Sequence, residues 1–459
     1  MEENKSCIRK PRVMMPKEGT DLNKWAVIAC DQFTSPNEDY WQKVEEYVGE
    51  APSTLNLIFP EYYLADKENV EKRIAKIQET MKQYLADGVM TDALGEDRFI
   101  YTRRKLSNGK TRQGLVVLLD LEVYSYKKGE KPTIRSTEGI VEERLPIRMQ
   151  IRRGAPLEFP HILMLIDDSE NRMIEPLGED LSKHSKLYDF DLMMNGGHAE
   201  GYAVIDETLE KKIWEVMESL GDQEIFMKKY GLSVPENPLA IAVGDGNHSL
   251  ASAKGVWEET KEKLMAENKE WQNHPARFAM VELINVHDEA LEFEPINRVL
   301  FGVGEWGIFE AEMQLYMASK GTSMTVTKME SKEDLLTAVK SAGSEQKFGV
   351  STMENQKIIW RLVAINNPVH SLTVGSLQMF LDDYLSKHNE VKIDYIHGED
   401  GVIRDSSTEG NIGFFLPVMG KTDLFKAVIK DGVTPRKTFS MGEADTKAYY
   451  ILGHRITED

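Results

Sequence analysis

Short apolar runs alternate with amphipathic segments along the first part of the chain. Residues 66–86 place apolar side chains on one helical stripe that ends before Gly88, and this spacing predicts an amphipathic helix. The runs GLVVLLDLEVYSY at 114–126 and FPHILMLIDD at 159–168 are rich in residues that favour strands, and we expect both to be central strands. Strands and helices that alternate in this way predict an α/β core.

The pattern changes near residue 300, where we place a domain boundary. Before it, residues 206–230 predict one capped helix and residues 236–244 predict the strand that follows. After it, the segments predict an antiparallel meander from SMTVTKM, FGVSTM and KIIWRLVAI, with helices near 332–342, 374–387 and 421–431. The sequence therefore predicts an N-terminal α/β domain at 1–300 and a C-terminal α+β domain at 301–459.

Composition limits the classes of partner. The 459 residues are 41% hydrophobic, enough for a large core, and carry a formal net charge of −20. This charge, with no run of Lys and Arg, disfavours a nucleic-acid binder, a nuclease or a protein of anionic membranes, and favours a small-molecule partner. The two cysteines, Cys7 and Cys30, predict free thiols in the cytoplasm, and the sequence offers neither a leader nor a membrane span.

The segment GDGNHS at 244–249 joins an apolar strand to a helix. Such a junction presents unpaired backbone N–H groups and the positive end of the helix dipole, so it predicts an anion site suited to phosphate. Gly246 allows a close backbone approach, while His248 and Ser249 can donate to a phosphoryl oxygen, and Ser249 can also cap the helix. Asp245 is unfavourable there unless it binds Mg²⁺, accepts a proton or holds a basic side chain.

The residues alone leave alternatives open. The segment 244–249 is also compatible with an ordinary strand-to-helix turn that has a capping serine and a surface histidine. NGGHAEGY at 195–202 is either a glycine-rich ligand loop or a hairpin, and ACDQFTSPNEDYW at 29–41 is either a capping turn or a substrate wall. His287 and His397 follow or flank apolar strands without partners at metal-ligand spacing, and two cysteines are too few for a Cys-based site, so the sequence predicts no permanent metal site.

The whole chain resembles the family catalogued as domain of unknown function 1015. That family's hallmark is a strand, then Asp-Gly-His-His-Arg, then a helix, and here the hallmark is Asp245-Gly246-Asn247-His248-Ser249. The family in turn resembles the ParB and sulfiredoxin superfamily, which includes free L-serine kinases. The resemblance implies a ParB/sulfiredoxin-like mixed-sheet core at about 115–260. Sulfiredoxin chemistry is disfavoured because its loop cysteine is absent: position 247 is Asn.

Segments outside the loop extend the resemblance to nearly the full length. IRSTEGIVEERLPIRM matches the family's Arg-Pro-His-Glu element at Arg135 and Glu138, with Ser136-Thr137 in place of Pro-His. ALEFEPINRVLF resembles a Leu-Pro-Thr-His-Arg segment, and IDYIHGED and TPRKTF resemble C-terminal signatures. Because the loop has lost a histidine and an arginine, one phosphate-binding cation is missing. Either Arg135, Arg144, Arg152 or Lys437 supplies it, or the donor or acceptor differs.

The resemblance implies a phosphotransferase, with free L-serine as the acceptor, O-phosphoserine as the product, and ATP, ADP or pyrophosphate with Mg²⁺ as the donor. It implies catalytic roles for Glu138 as base and for Asp245 and His248, with transient Mg²⁺ near Asp245. By itself, without the resemblance, Glu138 is more typical of a solvated charged turn. The alternative function is a non-catalytic nucleotide or phosphometabolite sensor, and a homo-oligomer is compatible with either. The implied binding residues are Arg135, Ser136, Thr137, Arg144, Arg152, Gly246, Asn247, Ser249, Asn297, Arg298 and Lys437.

Overall fold

The chain folds into two compact units. A computed structural model describes residues 6–35, 39–127, 129–341, 343–442 and 446–458. Residues Met1–Leu291 and Gly442–Asp459 form the first unit, and Glu292–Met441 form the second. The division falls just before the predicted boundary near residue 300, and the C-terminal residues 442–459, which the sequence placed in the second domain, return to the first unit.

The strands are short and fall in three sheets. In chain order they are β1 (Ile8–Arg9), β2 (Val13–Pro16), β3 (Met90–Asp92), β4 (Ile100–Lys105), β5 (Thr111–Asp120), β6 (Tyr124–Ser125), β7 (Ile134–Arg135), β8 (Leu157–Glu158), β9 (Leu163–Ile166), β10 (His184–Asp191), β11 (His198–Val204), β12 (Ile241–Asp245), β13 (Phe278–Asn285), β14 (Phe293–Phe301), β15 (Ser323–Met329), β16 (Gln346–Glu354), β17 (Lys357–Asn366), β18 (Lys392–His397), β19 (Ile412–Phe415), β20 (Phe439–Met441) and β21 (Gly453–Arg455).

The α-helices range from single turns to five turns. In chain order they are α1 (Leu22–Trp25), α2 (Tyr40–Val48), α3 (Val70–Ala86), α4 (Leu145–Arg152), α5 (Glu207–Leu220), α6 (Gln223–Tyr230), α7 (Asn247–Ala266), α8 (Trp306–Ser319), α9 (Lys332–Lys340), α10 (Thr373–Lys387), α11 (Asp400–Ser406) and α12 (Lys421–Asp431). Within the described ranges, none of these helices combines the length and the apolar character that a membrane span requires.

A mixed ten-stranded sheet organises the first unit. Its order is β10-β11-β4-β5-β13-β9-β12-β7-β6, with β1 added beside β5, and a four-stranded sheet has the order β3-β2-β21-β8. The predicted strands β5 and β9 lie in the interior of the large sheet, where their apolar side chains are buried on both faces. The mixed α+β fold predicted from the sequence is confirmed.

Two predicted elements of the first unit end earlier than expected. The run 114–126 leaves the strand at Asp120, because the Asp120 side chain accepts from the backbone N–H of Glu122 and starts a 3₁₀ turn. The predicted helix 206–230 is two helices, α5 and α6. The second begins afresh because the Asp222 carboxylate caps it by accepting from the N–H of Ile225. The NGGHAEGY segment joins β10 to β11 as an antiparallel hairpin.

The second unit is built on a seven-stranded sheet of order β15-β17-β16-β19-β14-β18, with β20 beside β14. The three predicted strands are antiparallel, but the predicted meander is wrong: β16 and β17 form a hairpin, and β15 pairs with the other edge of β17, so that β17 lies between β15 and β16. Helices α9, α10 and α12 coincide with the three predicted helices. These elements were predictable because alternation and helical spacing are local properties of the sequence.

Candidate functional site

The candidate site is the turn between β12 and α7. Strand β12 ends at Asp245, Gly246 has a left-handed backbone with φ of 85°, and α7 begins at Asn247. A Cβ atom at Gly246 would lie 3.1 Å from the Ile162 side chain and 3.2 Å from its Cα. Glycine therefore meets both the conformational and the steric requirement of the turn. No side chain caps α7, so the expected capping role of Ser249 is wrong.

Gly246→Ala is expected to destabilise the first unit by about 1 to 3 kcal/mol, because the new Cβ adds left-handed strain and crowds Ile162. The measurement is the urea-unfolding midpoint. Gly307→Ala is the matched control: a Cβ there meets open space within the helix α8, so that variant should be neutral or slightly stabilising. Equal midpoints for the two variants would contradict the prediction.

Asn247 joins the turn to the predicted Ser136–Glu138 element. Its Oδ1 atom lies 2.5 Å from the Ser136 hydroxyl and accepts from the backbone N–H of Thr137 at 3.2 Å. The Thr137 hydroxyl donates to the Val243 carbonyl at 2.6 Å, and the Ser136 hydroxyl also lies 2.8 Å from the Glu138 carbonyl. Ser136, Thr137 and Asn247 are all buried. The structure thus brings together these three predicted residues and places the backbone of Glu138 beside them.

His248 lies in the first turn of α7. Its Nε2 atom accepts from the backbone N–H of Val141 at 3.1 Å. Because Nε2 acts as an acceptor, the neutral ring carries its proton on Nδ1. In this arrangement the N–H of the neutral ring is therefore that of Nδ1.

Asp245 forms an ion pair with Lys447, a residue of the returning C-terminal segment. The Lys447 Nζ atom lies 2.9 Å from Asp245 Oδ2, with exposed side-chain fractions of 10% and 28%. Asp245 Oδ1 accepts from the backbone N–H of Gly246 at 2.8 Å. Burial is the largest influence on Asp245 and opposes its ionisation, but the charge and hydrogen bond of Lys447, the nearby His161 and the Gly246 N–H together hold the pKa of the carboxyl below its usual range. Asp245 thus holds a basic side chain, one of the three roles that the sequence left open.

Ser249 bonds a histidine that the sequence did not single out. Its Oγ atom lies 3.0 Å from Nε2 of His161, and Nδ1 of the same ring lies 2.8 Å from the hydroxyl of Tyr450. The Tyr450 hydroxyl also accepts from the backbone N–H of Cys30 at 3.1 Å. Burial raises the pKa of the Cys30 thiol to about 12, and Cys7 and Cys30 are both free thiols, as predicted.

A cavity of about 150 Å³ adjoins Ser249 and His161. Its walls are apolar side chains from α3, α4 and the segments 57–64 and 155–162, with a few polar groups among them. Arg148 pairs with Glu61 on this wall. Burial raises the pKa of Glu61, and the neighbouring Arg148 only partly opposes this. An apolar cavity with a few convergent polar groups is the usual form of a small-molecule site.

Arg152 combines a structural ion pair with unused donors. It pairs with the buried carboxylate of Glu158, which also accepts from the Met280 N–H at 2.7 Å and contacts His454 Nδ1 at 2.9 Å. Its Nε and Nη2 atoms are buried and have no partner among the described residues. Arg152 also lines the cavity, and a guanidinium is a group that binds anionic ligands.

Glu158→Gln is expected to destabilise the first unit by about 3 kcal/mol at pH 7. Burial would raise the pKa of Glu158, but Arg152 and His454 lower it from about 4.5 to about 2. A lowered pKa stabilises the fold above the unfolded value, so the deficit of the variant should shrink as pH falls from about 4.5 towards 2. Urea unfolding of the variant and the wild type at pH 7 and at pH 4 measures this difference in stability.

The control for Glu158→Gln is Glu259→Gln, which removes an ion pair with Arg153 whose side chains are 47% and 48% exposed. An exposed pair contributes about 1 kcal/mol at most, so this variant should unfold close to the wild type. If the two variants lost the same free energy of unfolding at pH 7, the buried Glu158 carboxylate would contribute no more to stability than the exposed Glu259 carboxylate.

The other two arginines predicted from the first unit differ in their surroundings. Arg135 is buried, and its guanidinium donates to the carbonyls of Pro132 and Asn237 and to Glu236. Its donors are thereby committed to the protein. Arg144 is exposed, just before α4, and its charge reaches Glu61 on the cavity wall. Of the two, Arg144 is the one placed near the cavity.

The remaining predicted residues belong to the second unit. Arg298 is fully buried and its guanidinium donates to the Lys437 carbonyl at 2.9 Å and contacts Gln378 at 3.3 Å. Asn297 donates to the Gly398 carbonyl at 3.0 Å and accepts from the Leu416 N–H at 3.0 Å. The Lys437 side chain is exposed, and its backbone has φ of 57°. Their binding roles stay predictions, since each of these contacts holds the second unit together.

Groups suited to a metal lie on the β10–β11 hairpin, where Asp189, His198 and Glu200 have ligand atoms within 4.8 Å of one another. These groups already have partners. His198 bonds Asp189 at 2.9 Å, and Arg103 pairs with Glu200 at 2.8 Å. At the β12–α7 turn, both carboxylate oxygens of Asp245 are engaged, by Lys447 and by the Gly246 N–H. The turn as described therefore does not fit the Mg²⁺ contact expected at Asp245.

Sequence analysis missed His161, Lys447 and Tyr450 at this site. Two of them come from the segment after residue 442, which returns to the first unit from the far end of the chain. His161 stood within a run that was interpreted only as a strand, although the Phe-Pro-His order places it before β9 begins. A polar residue between a proline and a buried strand is the signal that was available.

The fold and the turn define an α+β protein with a candidate ligand site where an interior strand meets a long helix. Residues 14–383 match the family described as "Protein of unknown function (DUF1015)", and the chain belongs to this family. The family predicted from the loop is confirmed, and its placement beside ParB and sulfiredoxin stays a prediction. No curated protein matches the chain in sequence.

Several solved structures are distantly similar. A conserved hypothetical protein from Pyrococcus furiosus is 10% identical, with a TM-score of 0.35 over 74% of this chain and 95% of that chain. A free serine kinase in complex with AMP is 11% identical, with a TM-score of 0.35 over 72% and 97% of the two chains. A mutant of a free serine kinase with ADP is 10% identical, with a TM-score of 0.36 over 73% and 91%. These values are too low to assign an activity.

Proposed function

We propose that this protein transfers a phosphoryl group from ATP, ADP or pyrophosphate to the hydroxyl of a small metabolite, with free L-serine as the first candidate. The observation that carries the proposal is the Asn247 contact. It holds the segment of the predicted base, Ser136–Glu138, against the predicted phosphate turn through two hydrogen bonds. The two motifs are about a hundred residues apart in sequence, and their contact supports the proposal because it brings the backbone of the predicted base segment beside the predicted anion site.

The turn provides the charge stabilisation that phosphoryl transfer requires. The N-terminus of the twenty-residue helix α7 points backbone N–H groups and its positive dipole end at an incoming anion. Lys447 offsets the negative charge of Asp245, so the carboxylate does not repel a phosphate from the turn. Arg152 adds two buried guanidinium donors on the cavity wall. In this proposal Arg152 is the cation that replaces the arginine lost from the loop.

Glu138 takes the proton from the acceptor hydroxyl as its oxygen bonds to phosphorus. Phosphoryl transfer asks mainly for positioning and charge neutralisation, so one correctly placed carboxylate suffices as base. Because Asp245 is committed to Lys447, no step is assigned to a metal held by this turn. Mg²⁺ enters the assay only as the companion of the phosphoryl donor.

The direct test mixes the purified full chain with L-serine, Mg²⁺ and ATP, ADP or pyrophosphate, and measures O-phosphoserine by mass spectrometry. Product with at least one donor is the expected result. The acceptor panel also includes hydroxy amino acids, hydroxy acids with apolar chains and simple sugars, because the adjoining cavity is largely apolar. No product from any donor and acceptor would overturn the proposal.

A nucleotide or phosphometabolite sensor is the second candidate. The observation that favours it is the hydrogen bond between His248 Nε2 and the Val141 N–H, which commits one side of the ring to the protein. Calorimetry with each donor separates the two functions. A sensor binds a nucleotide without consuming it, whereas the enzyme binds and turns over.

His248→Ala is expected to lower turnover by roughly 100-fold, the scale seen when one preorganised donor to developing charge is lost. Since Nε2 is engaged by Val141, the donor is Nδ1–H. His248→Gln keeps an amide donor and should recover part of the rate. Steady-state kinetics of the wild type, His248→Ala and His248→Gln measure the change in turnover. If His248→Ala kept wild-type turnover and donor affinity, residues 244–249 would be an ordinary strand-to-helix turn.

A further inference from the structure

Ser249 has the environment of an activated nucleophile. Its Oγ atom is 3.0 Å from His161 Nε2, within the distance over which a histidine accepts a serine proton. The other ring nitrogen, Nδ1, is 2.8 Å from the Tyr450 hydroxyl. A nucleophile, a base and a group that orients the base are thus joined in one hydrogen-bonded row.

The Tyr450 end of this row is rigid and neutral. Tyr450 is 2% exposed, and burial together with the Cys30 thiol raises its pKa well above the ordinary value, so it stays a phenol. Its oxygen accepts from the Cys30 backbone N–H at 3.1 Å, and its hydroxyl also bonds the Cys30 thiol. With the phenol proton directed to the thiol, the phenol oxygen accepts from His161 Nδ1–H. That tautomer leaves Nε2 as the acceptor facing Ser249.

The position of Ser249 connects this row with the phosphate turn. Ser249 is the third residue of α7, so its side chain stands in the same helical turn whose N–H groups face an incoming anion. It also lines the 150 Å³ cavity, which gives a ligand access to Oγ. Ser252, one turn later, lines the same cavity, but its hydroxyl donates to the His248 carbonyl at 2.8 Å.

We propose that Ser249 is a catalytic nucleophile that carries the phosphoryl group as a covalent intermediate, with His161 as its general base and Tyr450 as the positioning residue. The inference rests on the proposed function for the identity of the donor, a phosphoanhydride. It predicts double-displacement kinetics, in which the donor product leaves before the acceptor reacts.

Two successive displacements at phosphorus carry the phosphoryl group from the donor to the acceptor. Ser249 Oγ bonds to phosphorus, the phosphoanhydride P–O bond breaks, the remaining phosphate ester or phosphate leaves as its anion, and the serine proton passes to His161 Nε2. The acceptor oxygen then bonds to the same phosphorus, the Oγ–P bond breaks, and His161 returns its proton to Ser249 Oγ. The proton of the acceptor hydroxyl passes to Glu138 and on to solvent.

The first experiment tests the nucleophile without any kinase substrate. The full chain is treated with an alkyl phosphonofluoridate, whose P–F bond breaks as a serine oxygen bonds to phosphorus, and the modified residue is mapped by peptide mass spectrometry. Label on Ser249 is expected, at a rate that falls by about 100-fold or more in His161→Asn. Ser252→Ala is the matched control and should label like the wild type. Label on Ser252 or on no serine, or an unchanged rate in His161→Asn, would overturn the proposal.

The second experiment supplies ATP, ADP or pyrophosphate with Mg²⁺ and no acceptor, followed by an acid quench. Phosphate on Ser249 in the wild type, absent from Ser249→Ala, is the expected result. If Ser249→Ala forms phosphorylated product at the wild-type rate, the nucleophile is overturned and the proposed function stands. If the phosphonofluoridate labels Ser249 but no donor yields product or phosphoenzyme, Ser249 is an activated serine and the proposed phosphotransferase function falls.

Discussion

Glu138→Gln is expected to lower turnover by about 10² to 10⁴-fold while leaving donor affinity nearly unchanged. The amide keeps the size of the side chain but cannot take a proton from the acceptor hydroxyl. Donor affinity should persist because the proposed phosphate contacts come from the α7 turn and Arg152. Steady-state rates with the active donor measure turnover, and calorimetric titration of the same donor measures its affinity.

The matched control is Glu143→Gln, five residues further along, because Glu143 is exposed. We expect wild-type turnover from it. If Glu138→Gln kept the wild-type turnover, Glu138 would not be the base, and it would instead belong to a solvated charged turn, the alternative that the sequence left open. A parallel loss of turnover and of donor affinity would instead assign Glu138 to donor binding.

Asn247, which departs from the family motif, forms hydrogen bonds with two other residues that depart from it. The motif has histidine at position 247 and Pro-His at 136–137, and the sequence analysis treated the loop change only as a lost cation. In the structure the replacements contact each other, since Asn247 Oδ1 is shared by the Ser136 hydroxyl and the Thr137 N–H. A proline at 136 has no hydroxyl to offer this amide. The residues that depart from the motif at positions 136, 137 and 247 therefore form one hydrogen-bonded unit, which a position-by-position comparison with the motif does not disclose.

Local elements were accessible from the sequence because they depend on near neighbours. The helix α3 and the strands β5 and β9 follow from spacing and residue type alone. The turn after β12 was predictable for the same reason, since two glycines and a capping-type serine stand within six residues. The ends of helices and strands were predicted less accurately where a single side chain determines them. Asp222, for example, caps α6 and so separates it from α5.

The composition of the site was not accessible in the same way. Lys447 and Tyr450 reach the turn because residues 442–459 return to the first unit, and no periodicity within a segment encodes a partner some two hundred residues away. The candidates for the missing cation were Arg135, Arg144, Arg152 and Lys437. Of these, Arg152 lines the cavity, but the lysine that neutralises Asp245 lies in the C-terminal segment.

Lys447→Met is expected to destabilise the first unit by about 3 to 5 kcal/mol at pH 7, because it leaves the largely buried Asp245 carboxylate without its cation. Methionine keeps most of the apolar stem, so the loss reports the charge rather than the packing. Asp245→Asn combined with Lys447→Met should recover most of the lost stability, since no unpaired charge remains. Lys43→Met is the control: its pair with Asp39 has side chains 60% and 70% exposed, and its loss should leave the urea-unfolding midpoint close to that of the wild type.

The pH dependence distinguishes this ion pair from a simple packing contact. In the wild type, Lys447 holds the pKa of Asp245 below its usual range, so the pair stabilises the fold above the unfolded carboxyl pKa and is lost as pH falls through the folded value. In Lys447→Met the burial of Asp245 acts unopposed and raises its pKa, so the carboxyl takes up a proton at a higher pH than in the wild type. The stability gap should therefore narrow between pH 7 and about pH 4.5, measured by urea unfolding at both. A gap that stays constant over this range would mean that Lys447 stabilises the turn by packing, and the charge compensation on which the phosphate site depends would have to come from another residue.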